Sequence, residues 1–322
     1  MKRLFYSFTF LLLTTQIFAT IRTVSNNPST IAQFNTIQAA VNAAATGDTV
    51  YVHGSPNTYD GFTITNKQLV IIGPGWSPNK NLPHVVNVVG QVTLTGAGTT
   101  GTELQGLMVS GGLSIVTLGV NNIRLIRNRF SSSNFNITPS AGGTINGYLF
   151  EGNWFDNAGV NTNATYTLQN FIFQNNIFYE TGCCISASIQ SFVNTVNVLF
   201  DHNLFYGPSS GGKDIFTGNS RFLILTNNIF VHRNAANNLS SSTFNNNITF
   251  TAGSDAPWTV NGNVDGGGNV SGQDPQMAAQ ASVNSGANNP LLDFTITAGP
   301  ANNSGSDGKD MGLLFDVAGS LN

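Results

Sequence analysis

The sequence predicts an all-β fold, a solenoid in which each turn is built from short parallel strands. A phrase recurs through residues 123–250: apolar, any residue, apolar, two mostly polar residues, Asn, any residue, Phe. It occurs as IRLIRNRF, YLFEGNWF, FIFQNNIF, VLFDHNLF and LILTNNIF, with a weaker sixth copy, TFNNNITF. Its asparagines are Asn128, Asn153, Asn176, Asn203 and Asn228, so successive copies lie 25, 23, 27 and 25 residues apart. A period of this length is typical of repeat architectures.

The repeat has the character of a strand. Its apolar residues alternate, as at Val196, Val198 and Phe200, and Gly, Asn and Ser separate the runs. With one repeat per turn, the strands of successive turns pair about 4.8 Å apart. We therefore expect the asparagines to stack and hydrogen-bond at one bend, and the phenylalanines to stack in the interior. The spacing predicts roughly eight or nine turns.

The N-terminus has the features of a secretory signal. A basic pair, Lys2 and Arg3, precedes a mostly apolar run at residues 4–13. We expect a signal peptide at residues 1–19 and one exported domain at residues 20–322.

Both ends of the solenoid are expected to carry caps, because an open end exposes unpaired strand edges and apolar interior. Residues 34–47 predict a short amphipathic helix as the N-terminal cap, with Ile37, Ala40, Val41 and Ala44 on one face. Regular turns are expected over residues 49–250. The irregular residues 251–322 are expected to fold back over the last turn as a C-terminal cap.

The composition argues against several classes of partner. Only 8% of residues are charged and the formal net charge is −3. Because no basic cluster exceeds Arg124, Arg127 and Arg129, nucleic acid is not an expected partner. No apolar run after the N-terminus approaches the ~20 residues that span a bilayer. The adjacent Cys183 and Cys184 could bond to each other only in a strained ring, so no disulfide framework is expected.

Three parts of the chain resemble right-handed parallel β-helix proteins of the pectin lyase-like superfamily. They are TIQAAVNAAATGDTVYV with the following GFTI and QLVIIGPG, the Asn-x-Phe repeats, and the closing ITAGPANNSGSDGKDMGLLFD. The resemblance covers nearly all of the mature chain. It implies a right-handed helix whose enzymes use charged residues from successive turns along an outer groove. Because the superfamily includes lyases, hydrolases, tailspikes and adhesins, it implies no single activity.

The repeat alignment suggests a catalytic column. Two positions before the ladder asparagine stand Glu151, Gln174 and Asp201, and the next position holds Asn175 and His202. Glu151 and Asp201 would lie about 9.6 Å apart at Cα, loosely compatible with the ~6.5–9.5 Å of an inverting glycosidase pair. His202 would act as a base or contact a sugar, and the two amides would bind substrate. The alternative is a polar bend, where such residues are common anyway.

A second candidate site is the loop that contains Lys213 and Arg221. The superfamily's lyases neutralise a uronate carboxylate with a cation and abstract the C5 proton with a base, roles open to these residues with His232 and Arg233 one turn on. The alternative is a solvated loop. The superfamily's hydrolase signatures and paired Lys/Arg pattern are not matched, and there is no clear acidic cluster for calcium, so no cofactor is expected.

Aromatic residues support a binding function instead. Trp154 follows a ladder asparagine, so we expect it to point outward, where it would stack on a sugar ring or pack under a loop. The preferred prediction is a secreted or cell-surface protein that binds extracellular polysaccharide without cleaving it. A polysaccharide lyase or glycoside hydrolase, and a structural or adhesive surface protein, are the alternatives.

Overall fold

The computed structural model describes residues 19–76, 84–180, 188–209, 214–289 and 291–314. Its strand ladders are all parallel and form a solenoid of about 9 turns, which confirms the predicted parallel β-helix. Residues 1–18 of the signal peptide predicted at residues 1–19 lie outside the described residues. So do Cys183, Cys184 and Lys213.

Three long parallel sheets, of 11, 8 and 7 strands, form the sides of the solenoid, and the first of them spans residues 21–265. The first sheet consists of Ile21–Val24, Thr49–Val52, Val70–Ile72, Glu103–Gln105, Arg124–Ile126, Leu149–Glu151, Ile172–Gln174, Val198–Asp201, Leu223–Thr226, Thr243–Asn245 and Val264–Asp265. The second consists of Asn87–Val88, Met108–Val109, Arg129–Ser131, Trp154–Asp156, Ile177–Tyr179, Leu204–Tyr206, Ile229–Val231 and Ile248–Phe250. The third consists of Thr63–Thr65, Val92–Thr95, Leu113–Ile115, Phe135–Ile137, Val160–Asn161, Ile189–Gln190 and Phe216–Thr217.

Shorter elements complete the fold. Two small sheets contain Gly143–Asn146, Tyr166–Gln169 and Asn194–Val196, and Ser220–Arg221 and Leu239–Ser240. The described residues contain two α-helices, Ile37–Ala43 and Gln280–Asn284, and the 3₁₀ helices Ala97–Thr99 and Pro257–Thr259.

The N-terminal helix is shorter than the predicted 34–47 but lies at the expected end. Thr36 caps it, because the Thr36 hydroxyl accepts the Ala39 N–H at 3.2 Å. Ile37, Ala40 and Val41 are buried in the interior cluster, so the helix covers the apolar end of the solenoid. The sequence prediction missed strand Ile21–Val24, which precedes the helix and begins the first sheet.

The ladder asparagines form a continuous chain of hydrogen bonds. Asn203 Oδ1 accepts the backbone N–H of Asn176 at 2.9 Å and its Nδ2 at 3.0 Å. Asn203 Nδ2 donates to Phe173 O at 2.9 Å and to Asn228 Oδ1 at 3.0 Å, so the whole amide is satisfied. The same amide-to-amide bonding links Asn128, Asn153, Asn176, Asn203, Asn228, Asn247 and Asn269. The predicted stack is confirmed, and it extends one rung beyond the sixth copy.

Aromatic rings stack inside the solenoid next to this ladder. Phe130, Phe155, Phe178, Phe205 and Phe230 form one stack, with ring centroids 4.6–5.2 Å apart. The stack ends where Thr249 takes the next position. A second stack joins Phe150, Phe173 and Phe200 at 4.3 and 4.4 Å. Because these rings belong to the first and second sheets, they fill the corner beneath the ladder.

The C-terminal residues pack against two parts of the solenoid, and the cap predicted for residues 251–322 stays a prediction. Trp258 is the residue that packs near the end of the interior, 6.1 Å from Phe244. Residues 277–314 instead run along the outside of the second sheet. There Phe294 and other apolar residues of the segment form a separate cluster with Trp154, Tyr206 and their neighbours. Most outer side chains of the second sheet from Trp154 to Ile248 are apolar, and this segment buries them.

We expect Asn203→Leu to lower the free energy of unfolding by roughly 2–4 kcal/mol. The substitution removes the acceptor of two buried donors on Asn176 and the side-chain N–H that donates to Phe173 O. Urea unfolding of the variant measures the loss. The exposed Asn35→Ala is the control, expected within about 0.5 kcal/mol of wild type. Equal effects at both positions would contradict the ladder's role.

Acid is expected to weaken the first turn through Asp48. Burial alone raises the pKa of Asp48, but the N–H groups of Thr20 and Ala45 and the Arg22 guanidinium outweigh it and lower the pKa. This contribution is therefore present above the unfolded carboxyl pKa of ~3.9 and lost as pH falls through the lower folded value. Asp48→Asn should be about 1–3 kcal/mol less stable than wild type at neutral pH. The difference should shrink in urea titrations below about pH 4; a constant difference would contradict this assignment.

Candidate binding face

The outward side chains of the first sheet form two adjacent columns. The polar column consists of Glu151, Gln174, Asp201, Thr226 and Asn245. The apolar column consists of Leu149, Ile172, Leu199 and Ile224. Ile172 and Ile224 are exposed, so the apolar column is open to solvent. We call these two columns the outer face of the first sheet.

The alignment proposed for the two carboxylates is confirmed. Glu151 pairs in register with Gln174, and Gln174 pairs with Asp201. Two strand spacings place the Cα atoms of Glu151 and Asp201 about 9.6 Å apart. The Asp201 carboxylate also accepts from Asn227 Nδ2 at 2.9 Å, so it is held in place. A catalytic role for the pair stays a prediction.

The bend after the polar column requires left-handed backbone. Asn175, His202 and Asn227 have φ of 55°, 53° and 59°, and Gly152 takes the same position with φ of 62°. Asn and Gly enter this region at low cost, which explains their frequency here. His202 and Arg127, which has φ of 52°, are the residues of this row that are neither Asn nor Gly.

The amides of this row hold the C-terminal segment. Asn175 Oδ1 accepts the N–H of Leu314 at 3.1 Å. Asn227 Oδ1 accepts the N–H of Ser306 at 2.7 Å, and Asn227 Nδ2 donates to the Ser306 hydroxyl at 3.1 Å. Asn175 was predicted to bind substrate; its oxygen is occupied by the protein's own chain, whereas Gln174 remains half-buried on the outer face.

His202 lies beneath the same segment. Its side chain is 2% exposed, with Nδ1 2.9 Å from Asp201 Oδ1 and Nε2 3.7 Å from Asp307 Oδ1. Asn227 Nδ2 also lies 3.5 Å from Nδ1. The imidazole is thus buried beside Asp307 in this conformation, and a contact of His202 with substrate stays a prediction.

Asp307 belongs to a tight turn at the edge of the outer face. Its carboxylate accepts the Lys309 N–H at 3.0 Å and lies 3.3 Å from the Lys309 ammonium. Burial by itself raises the pKa of Asp307, but the Lys309 contacts and the charge of His202 outweigh it and lower the pKa. Asp307 therefore keeps its negative charge opposite His202 well into the acidic range.

The Trp154 side chain points out of the solenoid, but it is buried and cannot stack on a sugar in this conformation. The ring is 1% exposed and packs edge-on against Trp76 at 5.4 Å, with Phe294 at 6.3 Å. Arg129 lies over the ring at 5.6 Å. Of the two alternatives for this outward ring, the structure has the one in which it packs under another segment, which comes 140 residues later in the chain.

The arginines of the second predicted site that the structure describes bind the protein's own backbone. Lys213 lies outside the described residues. Arg221 Nε donates to Val193 O at 2.9 Å, and the guanidinium lies 5.2 Å from the ring of Phe222. Arg233 is buried, with its guanidinium donating to the backbone oxygens of His232 and Glu180. A lyase role that requires Arg233 to reach substrate is therefore excluded in this conformation.

Phe222 is the residue that the sequence prediction missed. It is 51% exposed and has φ of 58°, at the bend that leads into the first sheet. The strand register places it beside Asn197, and Asn170 and Gly147 occupy the same bend in earlier turns. The signal was present in the repeat, because the position before the phrase is Asn or Gly in the preceding turns and Phe here. A bulky aromatic in left-handed backbone is a strained position.

Other features of the described residues lie apart from this face. Two adjoining crevices of about 470 and 340 Å³ at the N-terminal end share Asn26 and Asn35, and none of the predicted site residues lines them. In the part of the chain that the structure describes, no group of three His, Cys, Asp or Glu side chains is placed to hold a metal ion. None of the described helices is long and apolar enough to cross a membrane.

Comparison with known proteins adds no assignment: no protein-family model matches the chain, and no curated protein matches it.

We expect Trp154→Ala to lower the free energy of unfolding by about 3–5 kcal/mol, because the ring fills the space between Trp76 and Phe294. Urea unfolding measures the change, with the exposed Phe222→Asn as the control that should not destabilise. If the urea midpoint of Trp154→Ala equals that of wild type, the ring does not fill this space and our assignment of Trp154 to the packed cluster is contradicted.

Proposed function

We propose that the protein is a secreted or cell-surface polysaccharide-binding protein that holds a linear glycan along the outer face of the first sheet. The observation that carries the proposal is the pair of columns: a polar column in register beside an exposed apolar column, repeated over the four successive strands from Leu149–Glu151 to Leu223–Thr226. A ligand that itself repeats along its length is matched by a surface that repeats in steps of about 4.8 Å.

The chemistry of the two columns suits a sugar chain. Gln174, Thr226 and Asn245 offer hydrogen bonds to hydroxyl groups. Ile172 and Ile224 offer an apolar surface to the C–H faces of the rings, and Val196 is exposed close by. A contiguous exposed apolar patch rimmed by polar residues is typical of interaction sites.

The charges of the face favour a neutral glycan. The two ionisable residues of its polar column, Glu151 and Asp201, are both acidic, and the whole chain has a net charge of −3. A uronate polymer would therefore meet like charge along the column. A neutral chain meets no such repulsion and can hydrogen-bond to both carboxylates.

Phe222 supplies an aromatic platform at the edge of this face. It precedes the strand that contains Ile224, and it occupies a bend where Asn170 and Asn197 fit without strain. Left-handed backbone at a residue of this kind costs of order 1–3 kcal/mol. A binding role explains why a strained Phe stands at this bend, since its aromatic ring can stack on a sugar.

The resemblance to the pectin lyase-like superfamily supports a carbohydrate ligand, and the basic and apolar N-terminus supports export. Both are expectations from the sequence and contribute to the proposal independently of the outer face.

We expect Phe222→Asn to weaken retention on a neutral polysaccharide, raising Kd roughly tenfold. The same variant should gain about 1 kcal/mol of stability, because Asn accepts left-handed backbone. Affinity electrophoresis against a panel of neutral and uronate-containing polysaccharides measures binding, and urea unfolding measures stability.

Val116→Asn is the matched control, since Val116 is an exposed apolar residue that follows a strand of the third sheet. Its retention should equal that of wild type. Retention that is unchanged in Phe222→Asn, or absent for every glycan, would contradict the proposal. New reducing ends or unsaturated products in the same incubations would favour the hydrolase or lyase alternative, and loss of that activity in Glu151→Gln and Asp201→Asn would assign it to the carboxylates.

A further inference from the structure

The C-terminal turn, residues 304–309, and the residues that follow it are fastened to the bend beside the outer face by neutral hydrogen bonds and by one ionisable group. Asn227 binds Ser306 and accepts Gly312 N–H at 2.7 Å on its backbone oxygen, and Asn246 Nδ2 donates to Ser304 O at 2.9 Å. These contacts do not depend on pH. His202 is the exception, because it lies between carboxylates from two different parts of the chain.

The two imidazole nitrogens of His202 face different carboxylates. Nδ1 lies 2.9 Å from Asp201 of the solenoid, so its hydrogen is donated there. Nε2 is buried, has no hydrogen-bond partner among the described residues, and lies 3.7 Å from Asp307 of the C-terminal turn. In a neutral imidazole with the proton on Nδ1, the Nε2 lone pair would face a carboxylate. In the imidazolium, both nitrogens present N–H groups to negative charge.

We propose that His202 is a pH-dependent clasp, whose protonation fastens the C-terminal turn to the solenoid and whose deprotonation loosens it. The charged groups that face it are Asp201 on its own turn and Asp307 on the C-terminal turn, with Lys309 bound to the far side of Asp307. The neighbouring Asn227 is neutral. Since both carboxylates attract the imidazolium, raising the pH removes attraction across this contact.

This clasp would regulate the border of the outer face, because the residues that bind the turn directly follow its polar column. The proposal does not depend on the glycan, since it concerns how the turn is held.

Hydrogen–deuterium exchange of peptides within residues 302–314, corrected for the intrinsic pH dependence of exchange, tests the clasp. From about pH 5 to about pH 8, protection of this segment in the wild-type protein should fall roughly three- to tenfold. In His202→Asn the protection should not change with pH. Asn is compatible with the φ of 53° at this position, as Asn175 and Asn227 demonstrate in the adjoining turns.

Two further variants assign the effect. Asp307→Asn removes only the partner on the turn and should also abolish the pH response. His232→Asn is the matched control: His232 has φ of 56° and contacts the C-terminal segment through Asn284 O at 3.1 Å, and the Thr251 hydroxyl lies at its other ring nitrogen. Its pH response should equal that of wild type.

A wild-type segment whose protection is independent of pH would overturn the proposal. A pH response that persists in His202→Asn or in Asp307→Asn, or that is lost in His232→Asn, would also overturn it. Because exchange is read without a glycan, failure here and failure of the polysaccharide proposal are separate results.

Discussion

The structure depends on the buried amides of the ladder asparagines. Each interior amide donates twice and accepts twice, and its partners lie in the turns on either side. At Asn203 these partners are Asn176, Phe173 and Asn228. A shift of one turn against the next would leave several buried polar groups unsatisfied, at about 1–3 kcal/mol each. The ladder therefore fixes the register of every sheet, and the two columns of the outer face are aligned because the ladder is.

At some bends of the solenoid the chain does not use the residue types that fit left-handed backbone at lowest cost. Left-handed positions are easiest for Gly and Asn, and most of them have one of these residues. His202 and Phe222 are exceptions at two different bends, and neither substitution is required by the backbone. One faces two carboxylates beneath the C-terminal turn, and the other is exposed beside the apolar column. Both residues strain the backbone at their bend. We explain His202 by its contacts with the two carboxylates, and Phe222 by the aromatic ring that it exposes to solvent.

The C-terminal segment decides which surfaces remain open. It covers the apolar outer side of the second sheet, including Trp154 and Tyr206, and leaves the outer face of the first sheet exposed. The position of a potential ligand is thus set by two effects. The repeat supplies a regular surface on every sheet, and the segment removes one of these surfaces from solvent. Its turn at residues 304–309 then borders the surface that is left.

The sequence by itself determined the features that repeat: the parallel solenoid, the asparagine and phenylalanine stacks, and the register of Glu151 with Asp201. It also determined the N-terminal helix, from apolar residues at helical spacing. The repeating features follow from the period and the residue types, because successive turns carry the same pattern. Only the tertiary structure decided that Trp154 is covered by Phe294 and that His202 lies against Asp307. Each of these contacts occurs once, between segments more than 100 residues apart, so no periodicity predicts them. Phe222 lies between the two cases, because the repeat marks it as unusual but only the fold exposes it.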